Sequence, residues 1–174
     1  MQHSPARSRP TRTAADPNVE AVPWQREGVA AGVLGAIVVA IFFALVDLAR
    51  GRLLWTPFVL GSAFFTSRTP SADAPIALVL ALGYTAIHAC VFLAFGLTAA
   101  FAVFTEPVPR AGLRRGAVLA CLLFVAFEIT FAAFAQLFAP EVTRLLDAGR
   151  VAIANALAAA AMAGFLAWRR GRAG

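Results

Sequence analysis

The chain has 174 residues, of which 60% are hydrophobic, with a mean hydropathy of +0.77 and a formal net charge of +6. That apolar share exceeds what a soluble domain hides in its core, so lipid is the expected solvent, and this length leaves no room for a soluble catalytic domain beside four membrane spans. The positive balance would suggest nucleic acid in a soluble protein, but the arginines sit in tails and loops that flank apolar runs, which points to orientation in a membrane and to no nucleic-acid partner. All 15 basic residues are arginine, a usage that fits a GC-rich bacterial genome.

Residues 1–27 combine Pro5, Pro10, Pro17 and Pro23 with scattered charge, so the segment cannot bury enough surface to offset its ordering entropy and is expected to be a disordered cytoplasmic tail until near Trp24. The apolar run that follows starts late and leads into Asp47, Arg50 and Arg52 with no clean cleavage site, so it is read as an uncleaved anchor. This first span, 28–47, reaches roughly 30 Å as a helix, the thickness of the hydrocarbon layer. Its small residues recur every fourth position through Gly28, Gly32, Ala36, Ala40 and Ala44, which lets another helix backbone come close. Packing within one bundle is the preferred use of that row over self-association or docking of another membrane protein.

The connection to the next span is long but not polar: Leu53, Leu54, Trp55, Phe58, Val59, Leu60, Phe64 and Phe65 crowd into it. Thr56 before Pro57 reads as a helix start, with the hydroxyl capping free amides and proline at the first helical position. The spacing predicts a short helix from Pro57 to about Phe65, too short to cross, that lies along the outer interface or dips partway in against the bundle, with Trp55, Thr56, Pro57 and Phe58 as the outer interfacial segment. A lid or partner-docking surface is the alternative. Before it, Asp47 and Arg50 can pair at i and i+3, and Gly51 can take the positive φ that ends a helix. The run Asp47-Leu48-Ala49-Arg50-Gly51-Arg52, continuing through Trp55 to Thr56-Pro57, resembles the stretch after the first span in a group of small bacterial four-helix membrane proteins without an assigned activity. The resemblance implies the four-span fold and carries over no catalytic residue.

The second and third spans, 76–101 and 116–138, each carry one ionisable group near the middle, His88 and Glu128. A short loop joins the two helices, so they are expected to be antiparallel neighbours with these groups at similar depth. A lone carboxylate in hydrocarbon is costly unless it is paired or protonated, and three uses of the pair stay open. It can be a structural clasp that fixes helix register, helped by the hydroxyls of Tyr84 and Thr85. It can be the centre of a proton-linked transporter or sensor. It can ligate a metal or haem, which is disfavoured because two protein ligands fall short of the usual set, so no metal and no cofactor are expected.

Cys90 and Cys121 lack C-x-x-C spacing and read as small buried apolar residues. Gln136 and Asn155 read as polar groups that helix contacts or interfacial water satisfy. Pro140 and Glu141 open a short amphipathic turn through Leu146, and Gly149 allows a bend into the fourth span, 150–168, whose small residues again recur through Ala152, Ala156, Ala160 and Gly164. Trp24, Trp55 and Trp168 mark interface levels. With both termini inside, ten arginines fall in cytoplasmic segments and five in outer ones, which sets the orientation and leaves 169–174 as a basic cytoplasmic tail. No serine lies in any span and no phosphate loop, nucleophile elbow or metalloprotease motif occurs, so no catalysis is expected. The expectation is an all-α, up-down antiparallel four-helix transmembrane bundle in the bacterial inner membrane. Its leading role is that of a structural or accessory protein that binds a membrane partner or lipid.

Overall fold

The structure is a computed structural model and describes residues 24–105, 113–138 and 146–172. Among these the protein is all-helical, with five helices and no strand: α1 (Trp24–Ala49), α2 (Trp55–Thr66), α3 (Leu78–Thr105), α4 (Leu113–Phe138) and α5 (Ala148–Arg172). All except α2 are long and apolar enough to cross a bilayer, as a multi-pass membrane protein requires. Each expected span is present as a helix, with ends shifted by up to four residues. The tail up to residue 23 and the turn expected at Pro140 and Glu141 lie outside the described residues.

Helix α1 shows how the sequence sorts its two faces. Val29, Val33, Ile37, Ile41 and Leu45 form an outward row, each more than two-fifths exposed, while Gly28, Gly32, Gly35, Val39, Phe43 and Asp47 point inward. The outside is larger and greasier than the inside, the reverse of a soluble helix, because lipid accepts bulky side chains and close packing favours small ones. Phe92 and Leu93 of α3 press on Gly32 so closely that an added Cβ would stand 2.6 Å from the Phe92 carbonyl oxygen. Gly96 meets the backbone at Gly28 and Gly32 in return, so α1 and α3 touch backbone to backbone. Gly35 faces the sulfur of Met162, a fully buried side chain at the α1–α5 contact.

The two small-residue rows differ in use. On α1 the glycines pack within the bundle, although Ala40 is exposed. On α5 the row expected to pack is turned outward: Ala156, Ala160 and Gly164 are exposed, and a Cβ on Gly164 would meet nothing within 4 Å. The buried face of α5 is a different set, Val151, Ala154, Asn155, Ala158, Met162 and Leu166. An alanine-rich helix offers small residues on every side, and the larger Met162 and Leu166 select the face that is buried.

Neighbour relations also differ from expectation. Helix α3 packs along α1 and α2, and α4 packs along α5, whereas α3 and α4 do not run along each other. They meet through rings: Phe127 of α4 lies 4.9 Å from Phe92 and 5.1 Å from Phe95 between centroids, and Tyr84 lies 6.1 Å from Phe134. The close α1–α3 contact takes the place that the loop-connected neighbour was expected to fill.

The turn from α1 into α2 is built by Asp47, which is fully buried. Its backbone carbonyl accepts from the amides of Arg50 and Arg52 at 3.1 and 2.9 Å, and Gly51 takes the expected positive φ of 70°. Its carboxylate does not pair with Arg50 but accepts from the Thr56 amide at 2.7 Å and the Thr56 hydroxyl at 2.8 Å. Thr56 therefore receives a cap and does not supply one. The helix begins at Trp55, one residue after Leu54, which holds a left-handed φ of 70°. Arg52 lies over the Trp55 ring at 3.6 Å and donates to the carbonyls of Ala72 and, at 2.8 Å, Ala74, which draws the return segment onto α2. Eight of the twelve α2 residues are buried, and Gly61 sits against the Leu80 carbonyl of α3.

Candidate functional site

The residues expected to form one centre are divided between two parts of the bundle. His88 faces α1, where its Nε2 lies 3.3 Å from the Ala36 carbonyl oxygen. A carbonyl only accepts, so Nε2 carries the hydrogen in this contact, and the tautomer is assigned from that partner. Tyr84, one turn earlier, stacks loosely on His88 with ring centroids 6.1 Å apart, and Phe92, one turn later, lies 4.7 Å from the imidazole. Thr85 does not serve His88 as a donor, because its hydroxyl donates to the Ala81 carbonyl at 2.8 Å. Thr98, Thr105 and Thr130, all exposed, satisfy themselves in the same i−4 manner.

Glu128 has a different partner. Its carboxylate accepts from the Asn155 amide at 2.8 Å, across the α4–α5 contact, and no hydrogen bond or ion pair joins it to His88. Asn155 is buried. Nothing in the sequence marked this pairing, since the two residues lie 27 positions apart and Asn155 stands alone among alanines.

Two cavities flank the Tyr84–His88 edge of α3. One, of about 120 Å3, lies towards α4 and α5 and is bounded by Phe92, Phe127, Phe134, Thr130 and Asn155. The other, of about 250 Å3, lies between α1, α2 and α3, with Val39, Phe43 and Leu60 as apolar wall and Asp47, Thr56 and Thr85 as polar neighbours. Tyr84 and His88 line both. The segment expected at the outer interface thus contributes Thr56 and Pro57 to the larger cavity, while Trp55 and Phe58 pack against each other at 5.7 Å inside the fold.

An ion pair that no sequence pattern marked joins α1 to α5. Glu27, almost fully buried at the start of α1, is gripped by two guanidinium nitrogens of Arg169 near the end of α5, one of them Nε at 2.7 Å. Arg170 beside it donates to the Val103 carbonyl of α3. Cys90 and Cys121 are exposed on the outer faces of α3 and α4 and are not buried as the sequence suggested. At the start of α5 the left-handed position is taken by Asp147, with φ 59°, and not by Gly149. The Asp147 carboxylate accepts from the Gly149 amide at 3.1 Å and lies 3.5 Å from Arg150, an N-terminal cap. Among the described residues no three His, Cys, Asp or Glu side chains converge as a metal site would need.

No family model matches the sequence, and neither a curated protein nor a solved structure matches it.

Proposed function

We propose that the chain is a structural or accessory protein of a bacterial cytoplasmic membrane, without enzymatic activity, that binds a membrane partner or lipid. The observation that carries this reading is that four polar side chains of the bundle each fasten one element to another: Glu128 to Asn155, His88 to Ala36, Asp47 to Thr56 and Glu27 to Arg169. Buried polar groups committed in this way hold register and leave little freedom for a transport cycle.

In the same reading the four long helices run up and down, and both termini are cytoplasmic. Support comes from the contacts at one end of the bundle, where Trp24 meets Phe101, Glu27 meets Arg169, and Gly116 faces Ala167. Arg26, Arg114, Arg169, Arg170 and Arg172 lie near the same end, as expected for the cytoplasmic side. Helix α2 then sits near the outer surface, with Phe65 exposed at its end.

A proton-linked transporter or sensor is the second reading, favoured by the position of His88 and Tyr84 between two cavities. Proton uptake into proteoliposomes under an imposed pH gradient separates the two. The accessory reading expects no protein-dependent uptake in wild type or in Glu128→Gln. Uptake in wild type that is abolished in His88→Gln or in Glu128→Gln would replace it with the transporter reading.

A further inference from the structure

We propose that the cavity between α1, α2 and α3 binds a lipid-soluble molecule through a neutral hydroxyl group, either a prenyl or fatty alcohol or the phenolic hydroxyl of a quinol. The proposal rests on the lipid-binding form of the accessory reading and names the ligand chemistry.

Unused hydrogen-bonding capacity at the cavity wall defines the group that fits. Each carboxylate oxygen of Asp47 already accepts from Thr56, and the Thr85 hydroxyl gives its proton to Ala81, so none of these side chains supplies a free donor. The Tyr84 hydroxyl makes no hydrogen bond to a described residue, so its proton is available. With Nε2 of His88 directed at the Ala36 carbonyl, Nδ1 remains an acceptor without a partner. Tyr84 and His88, one helical turn apart, both line this cavity, and between them they hold one uncommitted hydroxyl proton and one acceptor nitrogen without a partner. A hydroxyl is the smallest group that accepts from the first and donates to the second. A carboxylate, which only accepts, would leave Nδ1 without a donor, and an ammonium, which only donates, would leave the Tyr84 hydroxyl without an acceptor.

The rest of the cavity selects an apolar body. Its wall is otherwise built from Val39, Ala40, Phe43, Ala44, Leu60 and Pro57, and it reaches the outer surface of the bundle at Ala40, Leu54 and Thr85, which are exposed. In a membrane that opening faces acyl chains, so the ligand enters sideways from the lipid layer. Ala40 and Ala44, one turn apart on α1, leave the slot open where larger residues would close it.

The test is ligand-induced thermal stabilisation of the full chain in mild detergent, with farnesol, farnesyl methyl ether and a short-chain ubiquinol as probes. Farnesol or the quinol raises the Tm in a saturable way, and whichever binds more tightly identifies the source of the hydroxyl. The ether, which cannot donate to Nδ1, and Tyr84→Phe, which cannot donate to the ligand, each weaken binding by about five- to tenfold, the loss of one hydrogen bond. Ala44→Leu fills the slot and abolishes binding without touching a polar group. Equal stabilisation by alcohol and ether, unchanged binding in Ala44→Leu, or no response to either hydroxyl probe overturns the proposal. Proton uptake that depends on Glu128 would instead overturn the accessory reading, so the two failures are told apart by different measurements.

Discussion

The Asn155 side-chain amide donates to the Glu128 carboxylate at 2.8 Å, and this contact, not one with His88, is what satisfies the acid of the third span. Glu128→Gln keeps a carbonyl oxygen for the same amide, so its cost should stay within about 0.5 kcal/mol. Asn155→Leu leaves the acid without its donor inside the bundle and should cost about 1–2 kcal/mol. Reversible unfolding of both variants in bicelles checks the order; a larger loss for Glu128→Gln than for Asn155→Leu would reverse the assignment.

Asp47 is the post on which α2 hangs. Asp47→Ala strands the buried Thr56 amide and hydroxyl and should destabilise the protein by about 2–3 kcal/mol, whereas Thr56→Val loses only the hydroxyl bond and should cost about 1 kcal/mol. Asp47→Asn retains an acceptor oxygen and falls between them. The same series should appear in limited proteolysis, with cleavage in 50–54 rising in the order Thr56→Val, Asp47→Asn, Asp47→Ala.

Glycines at the α1–α3 contact and on the outward row of α5 should respond differently to the same change. Gly32→Leu and Gly96→Leu force α1 and α3 apart and should each cost about 2 kcal/mol or more, because the neighbour is backbone that cannot swing aside. Gly164→Leu meets open space and should change stability by less than about 0.5 kcal/mol. Size-exclusion analysis of the same variant tests the outward row of α5: unchanged mass means that the row faces lipid, and a smaller particle assigns it to self-association.

The Glu27–Arg169 contact joins the start of α1 to the end of α5. Arg169 is 37% exposed and Glu27 only 4%, so solvent weakens the pair from one side and its loss falls below the range for a wholly buried ion pair. Arg169→Ala should therefore lower stability modestly, and Glu27→Gln in the Arg169→Ala background should recover part of the loss by removing the unpaired acid. No recovery would show that the contact contributes packing and not charge.

The spans were legible because a run of apolar residues of membrane length has few other uses, and Gly51 was legible because a positive φ favours glycine at a helix end. Helix pairing was not, because each span is apolar on all sides and periodicity cannot say which face meets protein. The α1 glycines pack inside the bundle as their spacing suggests, whereas the equally spaced α5 row faces outward. Asp47 was assigned to Arg50 by a local i, i+3 rule, yet the tertiary contact with Thr56 nine residues on takes both of its oxygens. His88 and Glu128 were paired by depth alone, and depth does not fix azimuth around a helix.

The central claim, that the intramembrane polar groups are separate fasteners and not one centre, is tested most directly by two double-mutant cycles in bicelles, one for Glu128 with Asn155 and one for Glu128 with His88. A coupling energy of about 0.5–1.5 kcal/mol in the first and none beyond error in the second is predicted. Coupling confined to the Glu128–His88 cycle would contradict the account.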